Sequence, residues 1–256
     1  MRVTICYFSG TGNTLWVTRL LTKLFEEQGS ACRSVAMEDV LAGKTAFDPA
    51  DGDLTGIAYP VHAWDAPRIV KDFIASLPSG NHPYFLFKTA GSRFLDGGSS
   101  RKVRLALAHK GWRLRHEAVY QMPANMMGSP SPCRVERMVE DTRNRAAIAE
   151  SEILDGVRVV LPDSSAKRFA NLLNVLENRG CKQSSSHWKV SGVCTMCGKC
   201  VRECPTGNIR EQDGGLVFGD SCVLCLRCWW NCPVKALSHP RMGWSFNRKG
   251  FTLPEI

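Results

Sequence analysis

No stretch of this chain approaches the roughly eighteen consecutive apolar residues that a membrane-spanning helix requires, so no span is expected. The N-terminus also lacks a basic region followed by a long apolar run. Gly10, Gly12 and Asn13 break the first apolar stretch early, which argues against a secretory signal and for a soluble, cytoplasmic protein. Acidic residues are missing from 101–115, where Arg101, Lys102, Arg104, Lys110, Arg113 and Arg115 face no Asp or Glu. With a net charge of +9 this raises nucleic acid as a partner. No recognised nucleic-acid module is present, however, and the charge is not interleaved with aromatics. A plain solvated face and a docking patch for an acidic protein both remain open. At 256 residues the chain exceeds the usual single domain, so two are expected.

Cysteine, by contrast, is abundant, with twelve residues. Cys6, Cys32, Cys133 and Cys181 are scattered and read as small apolar residues or idle thiols. The other eight form one pattern written twice. Cys194, Cys197, Cys200 and Cys204 precede Pro205, and Cys222, Cys225, Cys228 and Cys232 precede Pro233. This C-x2-C-x2-C-x3-C-P run is the iron–sulfur ligand run of bacterial ferredoxins, in which the fourth Cys of each run reaches the other cluster. The crossing predicts one [4Fe–4S] set of Cys194, Cys197, Cys200 and Cys232. It predicts a second of Cys222, Cys225, Cys228 and Cys204. Structural zinc is the competing reading, but zinc usually takes two well-separated CxxC pairs and nothing in its chemistry requires this spacing. Disulfides are disfavoured in such a chain. Between the runs, residues 209–218 read as a hairpin turning at Asp213-Gly214. Residues 205–209 and 233–237 extend the repeat. Trp229 and Trp230, between ligands, are placed to shield a cluster from water.

The other chemistry-bearing stretch is at the N-terminus. Residues 2–8 are apolar and β-branched and read as a buried strand. Ser9, Gly10, Thr11, Gly12, Asn13 and Thr14 follow, then a helical pattern closed at Gly29. Strand, hydroxyl-rich glycine loop and helix together make an anion site, with free N–H groups and a positive dipole end. There is no GxxxxGK[ST], which argues against a nucleoside-triphosphate loop. The third glycine of GxGxxG is replaced by Leu15, which argues against a dinucleotide. The loop holds no Lys or Arg, so a small phosphate monoester fits best.

In this position Ser9–Thr14 resembles the FMN phosphate loop of flavodoxins. That resemblance implies FMN, and two further loops at strand ends that meet the flavin ring. The first is Pro60, Val61, His62, Ala63 and Trp64, after a strand at 54–59. Trp64 is the candidate to stack on the ring and His62 the second candidate. The other is Thr89, Ala90 and Gly91, after a strand at 84–87, where Gly91 permits close approach. Asn125, after a strand at 116–122, is a further candidate contact. Strands at 2–8, 31–36, 54–59, 84–87 and 116–122 alternate with helices near 69–77, 101–110, 134–155 and 163–179. The expected class is α/β, a doubly wound five-stranded parallel sheet; its flavodoxin order, 2-1-3-4-5, is implied by the resemblance alone.

The whole chain resembles the flavodoxin–ferredoxin fusion family. Residues 1–183 are expected to form the flavodoxin-like domain. A Ser-rich join at 181–186 leads to a small α+β ferredoxin domain, 187–240, and the tail 241–256 is expected to pack on a domain surface. The resemblance implies an electron carrier of anaerobic metabolism with FMN, two [4Fe–4S] clusters and a redox partner protein. The competing expectation is an FMN-dependent reductase of a small substrate fed through the clusters. No second nucleotide fingerprint is present, which disfavours direct oxidation of NAD(P)H.

Overall fold

The computed structural model describes residues 1–62, 64–92, 98–126, 128, 130–162, 185–246 and 250–256. The helix expected over 163–179, most of the Ser-rich join and part of the long loop after residue 92 lie outside these.

Five strands form one parallel sheet: β1 (Arg2–Tyr7), β2 (Ala31–Ala36), β3 (Leu54–Pro60), β4 (Pro83–Ala90) and β5 (Arg113–Gln121). Their order is β2-β1-β3-β4-β5, every neighbouring pair parallel. This is the flavodoxin-like order. A parallel sheet is covered on both faces, so its central strands read as unbroken apolar runs. Tyr84, Phe85, Leu86 and Phe87 are all buried although they alternate between faces. On one face lie α1 (Asn13–Glu27) and α5 (Pro132–Leu154). Trp16, Val17, Leu20, Leu21 and Phe25 of α1 share a core with Val135, Val139 and Ala146 of α5. On the other lie α2 (Met37–Leu41), α3 (Arg68–Ser76) and α4 (Arg101–His109), through Met37, Ile69, Val70, Phe73, Val103 and Leu107. The short α2 has too few residues for a periodic signal and is anchored by the buried Met37. β5 starts at Arg113, earlier than the apolar run suggests, because Pro83 of β4 pairs with it.

The expectation that the basic stretch 101–115 faces no acid is corrected by the tertiary structure. Lys102 Nζ lies 2.7 Å from Asp65, and Arg104 lies 2.8 Å from Glu117. Lys110 Nζ donates to the carbonyls of Ala75 and Leu77, at 3.0 and 2.5 Å. The acids and carbonyls come from segments distant in sequence, so the local charge count could not show them.

The C-terminal segment holds two antiparallel pairs. β6 (Lys189–Val190) pairs with β9 (Leu237–Ser238), and β7 (Ile209–Gln212) pairs with β8 (Gly215–Phe218). Asp213 and Gly214 close the β7–β8 hairpin with φ of 50° and 70°, the double left-handed conformation of a type I′ turn. Two short helices, α6 (Lys199–Arg202) and α7 (Arg227–Asn231), follow the two cysteine loops. Trp188, Leu226, Leu237 and Phe246 form a small separate core. The tail then returns to the first domain. Trp16 Nε1 donates to the Pro254 carbonyl at 2.7 Å, Arg143 donates to the Glu255 carbonyl at 2.8 Å, and Phe251, Leu253 and Ile256 pack on the α1–α5 core. Trp229 meets Phe246 and Trp230 meets Phe251, so both indoles hold the tail. No described helix is long and apolar enough to cross a membrane.

Candidate functional site

The candidate residues of the first domain gather at the C-terminal ends of the strands, where open α/β sheets bind ligands. The loop Ser9–Thr14 joins β1 to α1. No side chain caps α1, and Ser9 Oγ instead accepts from Leu15 N at 3.2 Å. Gly12 has φ 104° with free space around its Cα, so here glycine serves the backbone turn. Gly10 differs. A Cβ placed on it would run into the backbone carbonyl of Cys225. Asn13 Nδ2 donates to the Pro123 carbonyl at 2.8 Å, tying this loop to the one after β5. Thr14 and Thr89, both buried, share a hydroxyl–hydroxyl bond of 2.8 Å.

The loop after β3 makes a tight turn, in which His62 and Asp65 exchange backbone bonds of 3.0 and 2.9 Å. Trp64 stands at its tip, 40% exposed and with φ 60°. His62 lies edge-on to Phe8, with ring centroids 6.4 Å apart. Burial pushes its imidazole down to about 4, partly offset by a hydrogen bond to the Val223 backbone. Ala63 lies outside the described residues. Asp65 anchors the turn. Its buried carboxylate accepts from Lys71 and Lys102, each at 2.7 Å, and from its neighbour Ala66 N at 2.8 Å. Sequence reasoning missed Asp65, because its lysine partners come from α3 and α4. Pro60 pairs with Thr89 in the sheet, and Val61 N donates to the Thr89 carbonyl at 2.8 Å. Ala90 ends β4. A Cβ on Gly91 would lie 3.2 Å from that of Ala124, so the close approach there is to the loop after β5. Two buried amide oxygens, Asn13 Oδ1 and Asn125 Oδ1, have no partner in the protein. Buried acceptors of this kind suit the hydroxyl groups of a bound ligand.

The eight cysteines ring two hollows. Cys194, Cys197, Cys200 and Cys232 line one, with Leu216, Pro233 and Val234. Cys204, Cys222, Cys225 and Cys228 line the other, with Trp188, Ile209 and Phe218. The fourth Cys of each run has crossed to the other set. Among the described residues, no three Cys, His, Asp or Glu side chains draw together on a point that one ion could fill. The two loops repeat in their backbone. Met196 and Leu224, Gly198 and Leu226, and Gly207 and Lys235 are equivalent pairs, all with φ between 48° and 67°. A left-handed conformation costs a non-glycine residue about 1–2 kcal/mol, and here it turns successive thiols inward. Backbone N–H groups of Asn208 and Ala236 donate to the sulfurs of Cys204 and Cys232, each at 3.2 Å. Bonds of this kind tune cluster potentials.

The hollows differ in surroundings. Cys197 is exposed, and the backbone N–H of Lys199 lowers its thiol below the usual range. Burial pushes Cys225 up to about 12. The Cys225 hollow touches the first domain. Val223 and Cys225 pack against the core of the α2–α3 face, and the Cys225 carbonyl rests on Gly10.

Residues 188–210 match the 4Fe-4S binding domain family. A ferredoxin-like protein from the vnf region of Azotobacter chroococcum mcd 1 is 43% identical over a 53-residue alignment that covers 18% of this chain and 82% of that protein. Among solved structures, an archaeal flavodoxin aligns over 60% of this chain and 99% of its own, at 10% identity and a TM-score of 0.41. The flavodoxin of Megasphaera elsdenii aligns over 58% and 98%, at 20% identity and a TM-score of 0.40. Likenesses of this strength add nothing to the strand order, which stands on its own pairing. Through its C-terminal segment the chain belongs to the ferredoxin-like 4Fe-4S proteins, and that segment is joined to a domain with the flavodoxin-like strand order.

Proposed function

We propose that this chain is an electron-transfer protein holding two [4Fe–4S] clusters and FMN, with one cluster set directly against the flavin site. Cys194, Cys197, Cys200 and Cys232 would hold one cluster, and Cys204, Cys222, Cys225 and Cys228 the other. FMN phosphate would sit on the Ser9–Thr14 loop. Pro60–Trp64, Thr89–Gly91 and Asn125 would border the ring, and Asn13 and Asn125 would supply the open acceptors. When bound, the clusters carry single electrons and FMN takes up two, so together they link one-electron to two-electron carriers.

One observation carries this reading: the backbone of Cys225 lies on Gly10 of the candidate phosphate loop. A ferredoxin segment merely tethered by a linker has no reason to touch that loop. What the chain supplies is fixed geometry. The Asp65 anchor holds Trp64 at its tip, and Trp188, Ile209 and Phe218 give the inner hollow an apolar lining. The outer hollow, with the exposed Cys197 and the part-exposed Lys199, would be the side that meets a redox partner protein.

The test is anaerobic purification followed by iron, sulfide and flavin analysis. About eight irons, eight sulfides and one FMN per chain are expected. Zinc in place of iron, in protein never exposed to air, overturns the reading, as does a protein that fails to retain FMN.

A further inference from the structure

We propose that Arg227 is a positioning residue that clamps the inner thiol hollow onto the phosphate loop and places a positive charge beside it. The inference rests on the reading above for its charge effect, and on contacts alone for the clamp. Arg227 follows Leu226, whose left-handed backbone, φ 61°, opens α7. Its side chain is 17% exposed and reaches three separate segments. Nη2 donates to the carbonyl of Ser9, the first residue of the phosphate loop, at 2.6 Å. The same nitrogen pairs with Glu38 Oε1 of α2 at 2.5 Å, and Glu38 is 12% exposed. Nη1 donates to the carbonyl of Glu203 at 3.1 Å; Glu203 precedes Cys204, which lines the same hollow. The guanidinium carbon lies 5.8 Å from the centre of the buried Phe8 ring.

One guanidinium therefore ties the Cys225–Cys228 loop, the Cys204 loop and the phosphate loop together. Lysine could replace the charge but not the fork of donors, which serves acceptors in different directions at once. The pair with Glu38 is largely desolvated, so breaking either member leaves a buried group short of its partner. The charge has a second effect. A cation beside the hollow stabilises the reduced, more negative state of a group bound there, and an anion does the opposite. Arg227 and Glu38 thus act in opposite directions on the same hollow while cooperating in the clamp.

The test uses the full chain, purified anaerobically, with Arg227→Gln, Arg227→Lys and Glu38→Gln. Amide hydrogen exchange over Ser9–Thr14 reads the clamp and needs no activity. Loss of a charge-assisted bond is expected to raise exchange there about tenfold or more in Arg227→Gln and Glu38→Gln. Cluster midpoint potentials, titrated by EPR, read the charge. Arg227→Gln is expected to lower one of the two potentials, Glu38→Gln to raise the same one, and Arg227→Lys to stay near wild type. A loosening that is merely structural would move both in one direction. Unchanged exchange in Arg227→Gln and Glu38→Gln overturns the clamp, and shifts of equal sign overturn the charge role. If Arg227→Gln fails to assemble its hollow, Glu38→Gln, in the other domain, decides both points. Wild-type protein without iron or flavin refutes the underlying reading, whereas the exchange measurement still decides the clamp.

Discussion

Gly10→Ala is the sharpest probe of the contact between the two parts of the chain. The φ of Gly10 is not left-handed, unlike that of Gly12. Alanine is therefore compatible with its backbone, and in open space the change would stabilise the protein by about 0.4–1 kcal/mol through the unfolded chain. Space is not open. The new methyl would meet the carbonyl oxygen of Cys225, with the Cys225 carbonyl carbon and Cβ both 3.2 Å away. A backbone carbonyl cannot rotate aside as a flexible side chain can, so one segment must shift. Overpacking of this kind costs roughly 1–3 kcal/mol. Parting the segments instead sacrifices the Arg227 bonds to Ser9 and Glu38, each charge-assisted bond worth about 1.5–3 kcal/mol. The protein takes the cheaper response, so destabilisation of about 1–3 kcal/mol is expected. Gly12→Ala is the control. It meets nothing within 4 Å but must hold a left-handed φ, at about 1–2 kcal/mol. The two variants are similar in cost but differ in place. Denaturant midpoints under anaerobic conditions measure the first, and amide exchange over 222–228 measures the second. Exchange there should rise in Gly10→Ala and not in Gly12→Ala. A Gly10→Ala protein that is more stable than wild type, with 222–228 unchanged, would refute the docked arrangement.

Three other outcomes follow from single contacts. Asp65→Asn removes the charge that holds Lys71 and Lys102; because both lysines are partly exposed, water limits the penalty to about 1–3 kcal/mol, and a midpoint shift worth under about 0.5 kcal/mol would show that the anchor is dispensable. The His62 imidazole is held down to about 4 by burial, so the unfolded chain takes up a proton first as pH falls. Stability is full above about 6.5, declines between there and about 4 by an amount on the order of 3 kcal/mol, and then levels off. His62→Gln should remove that slope from a pH series of unfolding curves, and an identical slope in the variant would assign it to other groups. Trp16→Phe keeps an aromatic group in this core position but removes the five-membered ring and with it the bond to the Pro254 carbonyl, the bond being worth about 0.5–1.5 kcal/mol; limited proteolysis should then remove the tail faster, and equal rates would mean that Phe251, Leu253 and Ile256 hold it unaided.

Local chemistry was legible in the sequence wherever it is written over short distances. Ligand spacing is a covalent property, so the two cysteine runs and their repeat could be read directly. The glycine–hydroxyl loop between a strand and a helix was equally plain. So were the apolar runs of β3 and β4, because a strand buried on both faces is apolar along most of its length. The hairpin turn at Asp213-Gly214 was readable because few residues tolerate two left-handed conformations in a row. Tertiary structure alone decided what joins these pieces. The basic stretch 101–115 looked uncompensated because Asp65 and Glu117 approach it from other strands and turns. Gly10 could be read as part of a phosphate loop, but it could not be read that its missing side chain also makes room for Cys225, more than two hundred residues away. Arg227 was one arginine among many until the fold set it between Ser9, Glu38 and Glu203. The physical reason is the same in each case. Backbone geometry and ligand spacing are local, whereas charge pairing and close packing depend on which distant segments the fold brings within a few ångströms.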